Sequence, residues 1–169
     1  MRILVISDTH APRRWRGVPD ALASDLASAD VILHAGDACT PDVLDELAAH
    51  APVHAVLGNN DSPGVAAWGA TETLHLELDG LPVAMVHDSG PRQGRGTRMR
   101  RRFPDAGLVV FGHSHIPVDA VEASVHLYNP GSPSDPRRQP TGTYGVLDIA
   151  GGRLVRSMIV GLPAIGRTG

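Results

Sequence analysis

Residues 2–10 read Arg2-Ile3-Leu4-Val5-Ile6-Ser7-Asp8-Thr9-His10, a β-branched apolar run that breaks into an Asp-x-His triplet. Apolar side chains at consecutive rather than alternate positions suit a strand buried on both faces. Two further runs behave alike, Val31-Ile32-Leu33-His34-Ala35 and Val53 to Leu57. Between them lie helical stripes. Val18, Ala21, Leu22, Leu26 and Ala29 share one face over residues 18–29, and Pro41 to Ala49 repeats the pattern with Thr40 as N-cap. A β-α-β-α-β order predicts a parallel sheet with right-handed crossovers.

The second half changes character. Thr71 to Leu78 alternates Leu74, Leu76 and Leu78 with polar residues, Asp79-Gly80 turns the chain, and Leu81 to His87 returns. That pattern predicts a hairpin. A helix over Gln93 to Phe103 comes next, then strands at Leu108 to Phe111, Val118 to Val121, Val125 to Tyr128, Tyr144 to Ile149 and Leu154 to Ile159. The expected architecture is α/β, a four-layer α/β/β/α sandwich of two facing mixed sheets with helices outside. Residues 1–169 are read as one domain, with Pro163 to Gly169 as a frayed tail.

Composition narrows the function classes. The 169 residues carry a net charge of −3, which excludes a uniformly basic nucleic-acid sleeve. All fifteen basic residues are arginines, and six of them fall between Arg92 and Arg102. A single cysteine, Cys39, excludes a disulfide framework and a Cys-rich zinc site. No apolar run approaches the roughly 20 residues of a membrane helix, and no secretory leader is evident, so a cytoplasmic protein is the default expectation.

The residues at the strand ends carry the chemistry. Asp8-Thr9-His10 comes after the first strand, Gly36-Asp37 after the second and Gly58-Asn59-Asn60-Asp61 after the third; His87 ends the hairpin, and Gly112-His113-Ser114-His115 ends the next strand. Singly, each Asp is a turn former and each His a packing residue. Together they put metal-ligand types at five strand C-termini, the edge where open α/β sheets bind ligands. Asp8, His10, Asp37, Asn59, His87, His113 and His115 exceed the four donors of one zinc site. Seven N/O donors suit two metals sharing one carboxylate about 3.5–4 Å apart, and Asp37, on the middle strand, is placed to bridge. Without thiolates the donors favour manganese, iron, zinc, nickel or cobalt, with manganese the first expectation.

Asp8-x-His10, Gly36-Asp37, Gly58-Asn59-x-Asp61, His87 and Gly112-His113-x-His115 resemble the calcineurin-like metallophosphoesterase superfamily. The likeness runs from residue 4 to about residue 135. Asn129-Pro130-Gly131-Ser132-Pro133 is similar to a segment of its small bacterial and archaeal phosphodiesterase branch, related to the metallophosphoesterase-fold subunit of retromer. The resemblance implies the α/β/β/α sandwich. It also implies one metal on Asp8, His10 and His115, a second on Asn59, His87 and His113, and Asp37 on both.

Two departures stand out. Many members carry a leaving-group acid, His, directly after the metal-binding Asn; here Asn60 stands there and does not titrate near neutrality. Asp61 thereby loses its usual partner. Asp88-Ser89-Gly90 replaces the usual Gly after the His and adds a negative charge at the mouth.

The implied activity is phosphodiester hydrolysis by hydroxide bound to two metals. Asp37, Asn59, Asn60 and Asp61 form the catalytic set, with Asn60 and Ser89 donating hydrogen bonds to the phosphate. Phosphomonoesterase or protein phosphatase activity is the nearer alternative, and a non-catalytic protein-binding scaffold the more distant one. Phosphate esters are the expected substrates, with nucleotides or single-stranded nucleic acid among them. A homodimer is left open and no membrane partner is expected.

The arginines of residues 92–102 read first as a solvated helix face, although Arg95, Arg98 and Arg102 share one side and would guide a polyanion if that side bordered the metals. Arg13, Arg14 and Arg16 form a second, equally ambiguous cluster. His34, His50, His54, His75 and His126 are expected to be structural or exposed. Trp15 and Trp68 fall in loops.

Overall fold

The computed structural model describes residues 1–163; the expected fraying of the tail beyond Pro163 concerns residues outside those described. Strands β1 (Arg2–Ile6), β2 (Val31–His34) and β3 (Val53–Ala55) are parallel neighbours, as the β-α-β-α-β reading requires. Helices α1 (Asp20–Ser28) and α2 (Asp42–Ala48) make the crossovers. β9 (Thr143–Ala150) pairs antiparallel with β1, and β10 (Arg153–Gly161) closes that sheet in the order β10-β9-β1-β2-β3.

The second sheet is built from the hairpin β4 (Thr73–Leu78) and β5 (Leu81–Val86), with β6 (Leu108–Val110), β7 (Val118–Glu122) and β8 (Val125–Asn129). Its order is β4-β5-β6-β8-β7, with β5, β6 and β8 parallel and both edge strands antiparallel. Both sheets are mixed.

Strand periodicity explains the layering. Ile3 and Val5 of β1 face the second sheet, packing with Val83, Met85, Leu108, Val110 and Tyr128. Leu4 and Ile6 face the other way, onto Leu22, Leu26, Leu44 and Leu47 of α1 and α2. The outer face of the second sheet buries Ala84, Val86, Val109 and Leu127 against Met99 and Phe103, at helix α4 (Arg95–Arg102). Each sheet is therefore covered on both faces at its centre, which is why β1, β2 and β6 read as unbroken apolar runs while the edge strands β4, β7 and β10 alternate or carry charge. The α/β fold of two facing mixed sheets is as expected.

Local differences have local causes. Helix α2 starts one residue later than expected. Pro41 already sits in the helical region (φ −66°, ψ −21°) and its carbonyl accepts from Leu44 and Asp45. Thr40 Oγ1 is therefore left without a partner instead of capping. α4 begins at Arg95 because Gly94, at φ 68°, breaks the helical path from Gln93. A helix absent from the expectation, α3 (Pro63–Trp68), comes after the β3 loop. Trp68 thus lies on a helix, not in a loop, and donates to Asp45 Oδ1 at 2.8 Å. Trp15 is buried and donates to Glu46 Oε2 at 2.6 Å. No helix among the described residues is long and apolar enough to cross a membrane.

Candidate metal centre

The loops leaving β1, β2, β3, β5 and β6 converge at one edge of the sandwich. Backbone hydrogen bonds stitch them together: Asp8 N to Gly36 O, His10 N to Asp37 O, and Gly112 N to His87 O. Five of the seven candidate ligands adopt left-handed backbone, with φ of 56° at Asp8, 49° at His10, 56° at Asp37, 67° at His113 and 57° at His115. Such conformations are costly for side-chain-bearing residues and persist where surrounding contacts impose them, most often at functional sites. Two glycines make the approach possible. A Cβ on Gly58 would lie 2.1 Å from Asp37 Oδ1, and one on Gly112 would lie 2.0 Å from Ser7 Oγ and 2.7 Å from Asp8 Oδ2.

Donor atoms of Asp8, His10 and His115 lie mutually within 4.8 Å, as do those of Asp8, Asp37 and His87. His115 Nε2 is 3.2 Å from both Asp8 Oδ1 and His10 Nε2. Asp37 Oδ2 is 3.4 Å from His87 Nε2 and 3.8 Å from His10 Nε2, so it faces one imidazole of each group. Asp8 Oδ1 does likewise, toward His115 and, at 4.0 Å, His87. Asn59 and His113 stand at the exposed side, joined through Oδ1 and Nδ1 at 3.0 Å. All seven candidate ligands are thus gathered at this edge. The geometry adds that Asp8 spans the two groups as Asp37 does.

Hydrogen bonding fixes which ring nitrogens face inward. His87 Nδ1 is 2.7 Å from Ala35 O, and His115 Nδ1 is 2.5 Å from Asp135 O. A carbonyl only accepts, so both Nδ1 atoms carry hydrogen and, in neutral rings, both Nε2 atoms are bare lone pairs. These lone pairs point at carboxylate oxygens. Asp8 Oδ1 and His87 Nε2 are accordingly buried without any hydrogen-bond partner. Acceptor facing acceptor in a buried pocket is resolved by a cation or by a proton.

Ionisation tendencies agree. Burial disfavours the charged His87 and His115, yet the adjacent Asp37 and Asp8 carboxylates outweigh it and raise both above the ordinary imidazole value. His10 is lowered, chiefly by burial. Burial pushes the Asp37 carboxyl up, but the neighbouring His87 imidazole and the hydrogen bonds from Asn60 prevail and hold it well below the usual range. Cys39 Sγ, 3.4 Å from His10 Nδ1, is pushed up to about 11 by burial and by Asp37, Asp61 and Asp8.

Other expected site residues divide. Asn60 donates from N and Nδ2 to the two oxygens of Asp37, at 2.8 and 2.7 Å, so it touches the centre. Asp61 accepts from Cys39 N at 2.5 Å and Gly58 N at 2.7 Å; Oδ1 ties the β3 loop to the β2 loop, Oδ2 closes the β3 loop on itself, and Asp61 belongs to neither donor group. Ser89 is buried in a neighbouring cavity, apart from the cleft that Asn59, His87 and His113 line. His34 is fully buried beside Thr9 Oγ1, its pKa lowered to about 4 by burial, and lies outside both donor groups. His126 pairs with Asp119 at 2.6 Å, away from the centre.

Several residues outside the expected site set support it. Ser132 Oγ donates to Asp8 O at 2.8 Å, Ser134 Oγ to Thr9 O at 2.8 Å, and Asn129 Nδ2 to Gly112 O at 2.8 Å. Asn129 to Ser134 thus brace the backs of two ligand loops. The Asn-Pro-Gly-Ser run was the available signal. Ser7 Oγ and His113 N both donate to Asp8 Oδ2, leaving Oδ1 to face the imidazoles.

Residues 1–152 match the model of the calcineurin-like phosphoesterase superfamily domain. A probable metallophosphoesterase of Methanothermobacter thermautotrophicus is 35% identical over 164 residues, 94% of this chain and 92% of that protein. Vps29 of Entamoeba histolytica, solved in complex with zinc, superposes with a TM-score of 0.75 at 23% identity, covering 95% and 99% of the two chains. A structure described as a novel archaeal phosphodiesterase superposes at 0.71 with 21% identity, covering 95% and 100%.

Proposed function

The chain belongs to the calcineurin-like phosphoesterase superfamily, and on that premise we propose that it hydrolyses phosphodiester bonds with two divalent cations. Asp8, His10, Asp37 and His115 would hold one ion, and Asp37, Asn59, His87 and His113 the other. The observation that carries this reading is the buried, unpartnered pair Asp8 Oδ1 and His87 Nε2, which needs positive charge between its members. The N/O donor set suits manganese first among iron, zinc, nickel and cobalt. When bound, such ions acidify a water to serve as nucleophile and neutralise charge on the phosphoryl oxygens.

The chain's own groups supply the rest. Ala35 O and Asp135 O hold the His87 and His115 rings with Nε2 inward. Asn60 is exposed and can turn its amide from Asp37 to a phosphoryl oxygen, but it has no proton to give a departing alkoxide. Leaving groups of low basicity, such as aryl oxides, are therefore favoured. Asp61 serves by holding the turn that presents Asn59 and Asn60.

A cleft of about 500 Å³ opens onto Asn59, His87 and His113, and its openness among the described residues favours a diester with two limbs over a monoester specialist. The likeness to the archaeal phosphodiesterase supports the same choice. The scaffold alternative predicts weak metal binding, and the likeness to a Vps29 solved with zinc favours a centre that holds metal. One free thiol and no disulfide suit a reducing compartment such as the cytoplasm. The test is turnover of bis(p-nitrophenyl) phosphate against p-nitrophenyl phosphate with each ion. The reading expects the diester to be preferred with manganese; no diester turnover with any ion contradicts it.

A further inference from the structure

The six arginines between Arg92 and Arg102 are not the uniformly solvated face that the sequence suggests. Arg100 spends its guanidinium on backbone carbonyls, donating to Pro104 O at 2.7 Å, Ala106 O at 3.1 Å and also Ser124 O. Arg98 donates to Ser89 O at 2.8 Å and Pro91 O at 2.5 Å, which pins the loop after His87. Arg95 is buried with its guanidinium 4.9 Å from the Phe111 ring centre. Arg92 lines a cavity beside β7, and Arg101 is exposed beyond the metal-ligand cleft.

Arg102 differs from all five. It lines the same cleft as Asn59, His87 and His113 and is exposed there. Its guanidinium rests 5.2 Å from the Phe103 ring centre, and among the described residues it makes no hydrogen bond or ion pair. Stacking orients the planar fork while leaving its N–H groups free, the arrangement suited to two-pronged recognition of phosphate. Glu72 and Asp88 line the rim as well, and Asp88 is held in place by Gly90 N at 2.6 Å. Their charges repel a substrate that is negative along its length, and Arg102 is the one arginine among the described residues lining this cleft.

We propose that Arg102 is a subsite for a second phosphate, which makes the substrate class a short phosphodiester carrying one terminal phosphate beside the scissile link. This inference rests on the diesterase reading for where the scissile group sits. Leu57 and Val86, which line the same cleft, give the intervening organic part an apolar surface.

The test compares two probes on manganese-loaded protein by calorimetry: the phosphorothioate analogue of thymidylyl-thymidine, which resists hydrolysis, with and without a 5′-phosphate. The added phosphate is expected to tighten Kd about fivefold. Arg102→Ala should bring that ratio to about one, Arg102→Lys should keep part of it, and Arg101→Ala should leave it in place. Equal Kd values in the unaltered protein, binding of neither probe, or a ratio that survives Arg102→Ala would each overturn the subsite. Bis(p-nitrophenyl) phosphate turnover, measured alongside, separates the two readings. Turnover without a ratio sinks the subsite alone, while a ratio that collapses in Arg102→Ala without turnover upholds the anion site and sinks the diesterase.

Discussion

The two ligand groups of the centre are built differently. Asp8 and His115 are 0 and 1% exposed, and behind them Ser7, Ser132 and the Asp135 carbonyl hold them in place. On the other side His87 is buried and held by Ala35 O, but Asn59 and His113 are exposed and contact each other. The first group is a preorganised socket; the second is half socket and half doorway, facing the cleft. Preorganised donors lose little freedom on binding, so the buried group should hold its ion more tightly, and the exposed group should be where substrate meets metal.

The largest effects should come from the carboxylates both groups share. Asp37→Asn and Asp8→Asn are each expected to lower kcat by about 10³-fold or more, since Asp37 would serve both ions and Asp8, a ligand of one, also faces His87 of the other group. Steady-state kinetics at saturating manganese checks this, and near-normal rates in both variants would dissolve the shared-ligand picture. Next comes the asymmetry itself. His115→Ala should weaken the tighter manganese site about 100-fold, whereas His113→Ala should weaken only the looser one. Binding isotherms that lose the same site in both variants would show the groups to be equivalent. Ser132→Ala, which touches no ligand side chain, should weaken the tighter site by about tenfold through its hold on the Asp8 carbonyl.

Acidity gives a smaller, continuous effect. The metal-free centre holds His87 and His115 above the ordinary imidazole pKa, so protons compete for both Nε2 atoms. Metal affinity should therefore fall as the solution is made acidic and these imidazoles take up protons, and each ion should displace more protons at pH 6 than at pH 9. Calorimetry in buffers of different ionisation enthalpy measures that release. Smallest of all, Asn60→His should raise rates on diesters with basic leaving groups by about tenfold while changing aryl diesters little.

How much the sequence disclosed depends on the range of the interactions. Strand runs and the residues ending them are local, so the layered fold and the gathering of Asp8, His10, Asp37, Asn59, His87, His113 and His115 at one edge were legible. Asp61 illustrates the opposite case. Its type and position suit catalysis, yet both oxygens bind backbone N–H groups, one of them Cys39 N from a different loop. Ser132 and Asn129 act on loops more than a dozen residues away in sequence, so their bracing of Asp8 and Gly112 becomes visible only in three dimensions. The arginines mislead for a related reason. Helical spacing shows which share a side, while the carbonyls that engage Arg98 and Arg100 come from neighbouring loops.

The most direct measurement is a manganese titration of metal-free protein, with electron paramagnetic resonance recorded at each step. The account predicts two ions per chain, the first bound more tightly, with the signal of an exchange-coupled pair appearing as the second enters and absent in Asp37→Asn. A single ion per chain, or two whose spectra stay those of isolated manganese, would contradict it.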